Sequence, residues 1–210
     1  MKDLVVLCAD KLIEGTIEGL LGRPGALGIR AIAYEIKVHP QRDPGCYHQA
    51  AAFLKPLRLS FEHALVVFDK AWDGAPSQDA TNLALKVQLA LGGDWGGNAG
   101  VVAIDPELEA WVWSDSPHVE SELGWASRNA RLRPWLQGKG LWDVDDAKPA
   151  DPKAAVLAAV REARIPWTSA VCKALASKVS VQRCSDDTFN GLRSLLAAWF
   201  ADGRLADGQT

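Results

Sequence analysis

The chain has 210 residues, of which 48% are hydrophobic, and its formal net charge at neutral pH is −3. This length and composition suit one domain, or one domain with an appended lobe, that buries a core of its own. The apolar runs fall far short of the roughly 20 residues that a membrane helix needs, and the first is too short for a signal peptide. The acidic charge argues against a dedicated electrostatic DNA-binding protein, but not against an enzyme that acts on nucleic acid. We therefore expect a cytoplasmic protein that makes no membrane contact.

The first half of the chain alternates two kinds of apolar pattern. Continuous apolar runs, typical of strands buried on both faces, alternate with segments whose apolar residues recur at helical spacing. The predicted strands span residues 3–9, 29–38, 63–68 and 100–104, and the predicted helices span 11–21, 47–59 and 79–91. Asp79 and Asp105 are expected to cap helices, the second of which would begin at Pro106. This order predicts an α/β sandwich with a mainly parallel sheet flanked by helices.

The second half of the chain carries helical patterns and Trp-rich turns rather than strand signals. Helices are predicted at about 131–137, 151–163, 168–178 and 187–201, with Thr168 or Ser169 as a cap. We therefore predict a division into an α/β core, residues 1–116, and a C-terminal helical extension, residues 117–210, that packs on the core.

Acidic residues follow three of the predicted strands. Asp10 ends the first strand and Glu14 lies one helical turn later; Asp69 ends the third strand, with Asp73 beyond it, and Glu109 follows the fourth. The carboxyl ends of parallel strands meet at one edge of a sheet, so these acids are expected to converge. Mg²⁺ and Mn²⁺ prefer oxygen ligands, and such an ion can activate water and stabilise a phosphoryl transition state. The pattern predicts a metal site formed by these five residues.

A purely structural interpretation of the same acids stays open. Asp and Gly are common turn residues, which would account for Asp69 and Asp73. Asp105 is a natural helix cap, and Glu107 would complement a helix dipole. Glu14 could be a solvent-facing helix residue.

Three basic residues are candidates for contact with phosphate or for proton transfer. The stretch HPQRDPG follows the second strand at the same predicted edge and contains His39 and Arg42. Arg42 could bind phosphate through a bidentate contact, and His39 could act as a general base or a metal ligand. The stretch DAKPADPK brings Lys148 and Lys153; a lysine near a metal site could neutralise a phosphate, and we assign this role to Lys148. Glu14 is the acid we assign to catalysis as well as to metal. The alternative for HPQRDPG is a tight Pro/Gly turn that holds an Arg42–Asp43 pair.

Several stretches together resemble a known family. They are LCADKLIEGTIEGLLGRPGALGIR, HPQRDPGCYH, HALVVFD, PELEAWVWSDSPHV, KPADPK and RCSDDTFNGLRSLLAAWF, which span nearly the whole chain. They resemble Toprim-like proteins of bacterial defence gene clusters, and most closely the fourth component of methylation-associated defence systems. PELEAW and HPQRDPG are the most distinctive of these motifs.

The resemblance implies a Toprim/Rossmann-like sandwich and a role in defence against phage, beside a DNA methyltransferase and other defence proteins. Toprim domains bind Mg²⁺ and act in strand cleavage or phosphoryl transfer. By position, Asp10 or Glu14 would stand for the first acid of the family, Asp69 and Asp73 for the paired acids, and Glu109 for the acid of the E-A-W motif. The chain departs from the family pattern because ADK stands where a Glu-Gly pair is usual, and because three residues separate Asp69 from Asp73.

Three functions are therefore under consideration. The first is a Mg²⁺- or Mn²⁺-dependent nuclease or phosphotransfer enzyme that acts in anti-phage defence, with DNA as a possible substrate. The second is a catalytically silent subunit that binds other defence proteins, motivated by the Trp-rich stretch from Trp111 to Trp142, because exposed Trp marks interfaces. The third is a nucleotide sensor that binds metal and phosphate at the same edge without turnover.

Overall fold

A computed structural model describes residues 1–202 and contains one sheet of four parallel strands. The strands are β1 (Lys2–Cys8), β2 (Tyr34–Val38), β3 (Phe61–Asp69) and β4 (Ala99–Ile104), in the spatial order β2-β1-β3-β4. Every neighbouring pair is parallel, so all four carboxyl ends lie at one edge. The predicted α/β sandwich with C-terminal helices is confirmed. Residues 203–210 of the predicted extension lie outside the described residues.

Helices cover both faces of this sheet. In chain order they are α1 (Lys11–Leu21), α2 (Pro24–Leu27), α3 (Arg42–Leu54), α4 (Ala80–Trp95), α5 (Pro117–Glu122), α6 (Leu132–Gly138), α7 (Pro152–Ala163), α8 (Ser169–Lys178) and α9 (Asp187–Phe200). Short 3₁₀ helices span Lys55–Leu57, Gly96–Asn98 and Leu108–Trp111. With the right-handed crossovers that are the rule for parallel strands, α1 lies on one face and α3 and α4 on the other; α8 packs on α1, and α9 packs on β4. The central strands are therefore covered on both sides, as their continuous apolar runs predicted.

Two predicted helix caps are confirmed. Asp79 accepts a hydrogen bond from the Asn82 N–H at 2.7 Å, and Thr168 accepts one from the Val171 N–H at 3.5 Å. Each oxygen satisfies one of the orphan amides of a first helical turn.

Other predicted boundaries differ from the structure. The second strand begins at Tyr34 rather than at residue 29, because the preceding segment turns away to make a bridge between Ile29 and Ala201. Helix α3 begins at Arg42, inside the predicted loop, since a proline in the first helical turn needs no hydrogen-bond partner for its nitrogen. The predicted helix at Pro106 is wrong: Glu107 is extended, a 3₁₀ helix begins only at Leu108, and Asp105 accepts hydrogen bonds from Lys70 Nζ in place of capping a helix.

Helix α1 is packed unusually closely against α8. A Cβ atom at Gly15 would overlap the Ser169 carbonyl, and one at Gly19 would overlap the Lys173 carbonyl and the Ala176 methyl group. The two glycines therefore bring the helix backbones together. They serve packing, in agreement with the absence of a phosphate-binding glycine motif in the sequence of α1.

The apolar interior forms two clusters. The larger one contains the sheet and its flanking helices, including residues of α8 and α9. The smaller one joins the segment from Val112 to Leu136 to α7 and to Leu175 of α8. Because α9 packs on β4, and α8 packs on α1 with Cys172 and Ala176 in the larger cluster, the C-terminal helices complete the core. The division at residues 116/117 stays a prediction.

The nine Trp side chains are used mainly for packing. Trp95, Trp111, Trp113 and Trp125 are buried, and the other five are half-buried. The stretch from Trp111 to Trp142 therefore does not present the exposed aromatic surface on which the partner-binding hypothesis was based. Across residues 1–202, no helix combines the length and the apolar character that crossing a membrane requires.

Candidate functional site

Asp69 lies at the centre of an acidic cluster at the carboxyl edge of the sheet. It is the last residue of β3, and its Oδ1 accepts a hydrogen bond from the Leu108 N–H at 2.9 Å. Its own backbone N–H donates to Asp43 Oδ1 at 2.9 Å. Burial, followed by the charges of Asp43, Glu109 and Asp10, raises the pKa of the Asp69 carboxyl well above its ordinary value. The strand end therefore holds a carboxylate whose negative charge is opposed by its surroundings.

Glu109 is the most deeply buried acid of the cluster, with 2% of its surface exposed. It lies in the 3₁₀ helix Leu108–Trp111, and its Oε1 accepts a hydrogen bond from the Trp167 indole N–H at 2.9 Å. Burial raises the pKa of Glu109, while the Trp167 hydrogen bond and the nearby charge of Lys153 lower it. Burial dominates, so the net pKa shift is upward.

Lys153 is the lysine that reaches this cluster. Its Nζ lies 2.6 Å from Glu107 Oε2, and it belongs to the first turn of α7. Partial burial lowers the pKa of Lys153, but the hydrogen bond to Glu107 and the charges of Glu109 and Asp69 outweigh burial and raise it. The side chain is 48% exposed, so the ammonium group is both charged and accessible beside the acids.

Asp10 and Asp43 form the other side of the cluster. Asp10 Oδ1 accepts hydrogen bonds from the Leu12 and Ile13 amides at 2.8 and 2.9 Å, which caps α1. Burial and the charge of Asp10 raise the pKa of Asp43, while the hydrogen bond from the Asp69 amide lowers it. Because Asp43 accepts from Asp69, the predicted alternative of a simple Arg42–Asp43 turn pair is incomplete.

A recess of about 420 Å³ opens where β1 and β2 end, and Asp10, Lys11, His39 and Arg42 are among its lining residues. Lys11 and Arg42 are exposed, so the recess offers two cations beside the acidic cluster. Arg42 has φ +52°, a left-handed conformation that is unfavourable for any residue with a Cβ atom. Arg42 is thus held at the recess at some conformational expense.

His39 lines the same recess but is built into the turn before α3. It is buried, its ring packs against Phe53 at 5.1 Å, and its Nδ1 accepts a hydrogen bond from the Gln41 N–H at 3.1 Å. Burial lowers the pKa of His39, which favours the neutral imidazole. With Nδ1 as acceptor, the proton of the neutral ring lies on Nε2. In this state the free nitrogen is a donor, suited to a phosphate oxygen and not to general-base chemistry.

Three predicted site residues lie apart from the cluster. Glu14 pairs with Lys11 at 2.7 Å on the surface of α1, and Asp73 is exposed in the loop after β3. Lys148 Nζ donates to the Ala110 carbonyl and to Asp186 Oδ2, both at 2.9 Å. Its ammonium group is therefore engaged in a structural contact that fastens the 3₁₀ helix to the start of α9. The assigned roles of Glu14, Asp73 and Lys148 stay predictions without geometric support.

The acidic cluster is not a preformed metal cage. Among residues 1–202, no three His, Cys, Asp or Glu side chains are arranged closely enough to hold an ion by themselves. Mg²⁺, however, usually keeps several water ligands and is bound by one or two carboxylates together with substrate phosphates. Burial raises the pKa values of Asp69 and Glu109, so a cation beside them would favour their ionised forms. This donor set fits Mg²⁺ or Mn²⁺ that binds together with a phosphate substrate.

Four residues of the cluster were absent from the predicted site: Asp43, Glu107, Lys153 and Trp167. Asp43 had a usable signal, because it lies just beyond β2 at the same edge as the other acids. Glu107 was assigned to a helix dipole, and the helix it would complement does not form there. The contacts of Lys153 and Trp167 depend on the tertiary placement of α7 and α8, which no local pattern shows.

Comparisons with protein-family models, with curated proteins and with solved structures gave no match. The resemblance to Toprim-like defence proteins therefore stays a prediction based on the quoted motifs.

Proposed function

We propose that the protein is a Mg²⁺- or Mn²⁺-dependent phosphodiesterase that cleaves nucleic acid. The observation that carries the proposal is the meeting of Asp69 and Glu109, from different segments, beside Asp10, Asp43 and Lys153 at the carboxyl edge of a parallel sheet. Ligands of open α/β sheets bind at this edge.

The electrostatics of the cluster favour a divalent cation and an anionic substrate together. Several carboxylates that are buried near one another stay ionised at neutral pH only where positive charge compensates them. Lys153 supplies one positive charge, and its principal partner is Glu107. A divalent ion supplies the remaining compensation and, when bound, polarises a phosphoryl group and activates water.

The positions of these side chains suggest a role for each of them in metal binding and cleavage. Asp69 and Glu109 are the proposed ion ligands, and Trp167 orients Glu109 through its indole N–H. Arg42 and Lys11, at the recess, are the proposed contacts to substrate phosphates, and His39 donates from Nε2. Lys153 neutralises charge that develops on the phosphate during cleavage.

The biological setting of the proposal comes from the motifs alone. The resemblance to the fourth component of methylation-associated defence systems supports an anti-phage role in the cytoplasm, beside other defence proteins. A nucleotide sensor would use the same residues, but it would bind nucleotide without turnover. The two functions are separated by whether bound substrate is cleaved.

The test is cleavage of single- and double-stranded DNA by the purified chain with Mg²⁺ or Mn²⁺, beside an Asp69→Asn/Glu109→Gln double variant. Asp73→Asn is the matched control, since this aspartate is exposed in the loop that follows β3. We expect cleavage by the wild type and the control and at least a roughly 100-fold loss in the double variant. Calorimetric titration of metal separates the remaining outcomes. Metal binding without cleavage favours the sensor, and no metal binding by the wild type overturns the site.

A further inference from the structure

The outer side of strand β4 is an open sheet edge that lies in a groove. Within residues 1–202, β4 pairs with β3 and with no other strand. The groove has a volume of about 500 Å³, with α4 on one wall and α9 on the other, and the backbone from Ala99 to Ala103 along its floor. This surface is separate from the acidic cluster.

The hydrogen-bonding direction of β4 can be assigned residue by residue. The Ile104 carbonyl accepts from the Lys70 N–H on the β3 side. In a parallel ladder the N–H and C=O of one residue point the same way and alternate between residues, so Val101 and Ala103 direct theirs outward. The Ala99 carbonyl also points outward, and there it accepts a hydrogen bond from Gln88 Nε2 at 2.7 Å. Of Val101 and Ala103, Val101 is half-buried and Ala103 is 3% exposed, so Val101 offers the accessible N–H and C=O while Ala103 lies at the buried floor of the groove.

The two edge strands of the sheet differ in charge. Strand β2, at the opposite edge, carries Glu35 and Lys37, and Glu35 also pairs with Lys2. Charges of this kind keep an edge from pairing with another chain. The sequence of β4, AGVVAI, has neither charge nor proline. A sheet edge that carries no such charge is the kind of edge that strand addition uses.

The walls of the groove are shaped for an added strand with small side chains. Ala80 and Ala84 of α4 face Gly191 of α9 across it, which leaves room for a backbone about 4.8 Å from β4. Beyond the α4 wall, Leu85 and Leu89 are 51% and 72% exposed. They are placed to contact an apolar side chain of an added segment.

One end of the groove is negatively charged. Asp187, in the first turn of α9, is exposed there and lines the groove. A cationic side chain of the bound segment would meet this carboxylate.

We propose that β4 binds an extended peptide segment of a partner protein as a fifth strand of the sheet. The segment has small residues facing the groove, an apolar residue over Leu85 and Leu89, and a Lys or Arg at Asp187. Its backbone hydrogen-bonds with the outward N–H and C=O of Val101. The inference does not depend on catalysis at the acidic cluster, and it gives a partner-binding surface that uses no exposed Trp.

The test is selection of peptides from a random displayed hexapeptide library, with the wild-type chain and a Val101→Pro variant as separate baits. Proline at residue 101 removes an outward N–H and leaves the pairing with β3 intact. Val101→Thr keeps the N–H and the branched shape, and is the matched control. Peptides enriched by the wild type should lose at least about tenfold in affinity for Val101→Pro and stay within about twofold for Val101→Thr.

A second readout avoids relying on how well the proline variant folds. N-methylation of the enriched peptide at an amide that faces β4 should weaken its binding to the unmodified chain by a similar factor. Enriched peptides that tolerate N-methylation, or no enrichment over the Val101→Pro bait, overturn the proposal. A wild-type dimer in sedimentation analysis that Val101→Pro makes monomeric also overturns it, because it assigns the edge to a second copy.

Discussion

Trp167 and Glu109 lie 58 positions apart in the chain, and the indole N–H of Trp167 donates to the Glu109 carboxylate at 2.9 Å. This bond ties the segment before α8 to the 3₁₀ helix that follows β4. It is also a favourable interaction of the ionised form of a carboxylate that burial otherwise opposes. The geometry of the acidic cluster therefore depends on a residue far from it in sequence.

Replacement of Trp167 by Phe tests whether the Glu109 carboxylate depends on the Trp167 hydrogen bond. The variant keeps an aromatic ring but leaves Glu109 without its donor, so the free energy of unfolding should fall by about 1–3 kcal/mol. The pKa of Glu109 should rise further, because the lost hydrogen bond had lowered it. Urea unfolding at several pH values measures both effects. Trp135→Phe, at a half-buried ring in tilted contact with Trp125, is the control for the loss of indole packing. Equal behaviour of the two variants at every pH would contradict the prediction.

The acidic cluster should make the metal-free protein less stable as pH rises. The folded-state pKa of Asp69 is raised, so the stability it contributes is fully present below the ordinary Asp value of about 4. That stability is lost as pH rises through the folded-state pKa. Asp69→Asn lacks this titration, so its melting temperature should fall less than that of the wild type between about pH 5 and about pH 8.

Addition of MgCl₂ should offset the fall in melting temperature that the wild type shows as pH rises. A ligand that binds only the folded state stabilises it, so Mg²⁺ should raise the melting temperature of the wild type and not that of Asp69→Asn. Asp73→Asn should behave as the wild type in both series. Parallel melting curves for Asp69→Asn and the wild type would show that Asp69 does not carry the effect.

Replacement of Lys148 should mainly lower stability, whereas replacement of Lys153 should mainly lower activity. Lys148 and Asp186 are 20% and 11% exposed, so Lys148→Met should lower the free energy of unfolding by about 3 kcal/mol by leaving a carboxylate unpaired. Lys153 is more exposed, and Lys153→Met should change stability by less than about 1 kcal/mol. We expect Lys153→Met to reduce DNA cleavage by the folded chain. A stable Lys148→Met protein without activity would instead support the original assignment of Lys148 to phosphate.

Arg42 offers a test in which stability and function move in opposite directions. Its φ of +52° is relieved by glycine, so Arg42→Gly should leave the fold equally stable or up to about 1 kcal/mol more stable. Its affinity for DNA, measured by fluorescence anisotropy in the presence of metal, should fall if Arg42 binds phosphate. Arg164 has φ +59° at the end of α7 and is the matched control, because Arg164→Gly should have the same effect on stability without loss of affinity. Unchanged affinity in both variants would remove Arg42 from the site.

The sequence predicted the sheet well because continuous apolar runs are a local signal. All four strands were placed, and with them Asp10, Asp69 and Glu109 near one edge. Strand ends and helix starts were less predictable where proline occurs, as at Pro106, since a proline after an acid is compatible with more than one local structure.

The choice among candidate side chains was beyond local reasoning. Lys148 and Lys153 lie five positions apart in similar surroundings, yet one contacts Asp186 and the other Glu107. Which lysine reaches the acids depends on where α7 begins relative to the sheet. The sequence made His39 a candidate general base because imidazole titrates near neutral pH. The hydrogen bond that the Gln41 N–H donates to its Nδ1 places the proton of the neutral ring on Nε2, and this contact is visible only in the structure.

The close packing of α1 on α8 has a consequence for the order in which the chain is made. During synthesis the four strands and α1 emerge well before residues 169–178, so the glycine face of α1 at Gly15 and Gly19 has no partner at first. Until α8 has been synthesised, the Gly15 and Gly19 face of α1 stays uncovered. We therefore expect ribosome-bound chains that stop before α8 to contain all four strands but to lack the helix that covers α1.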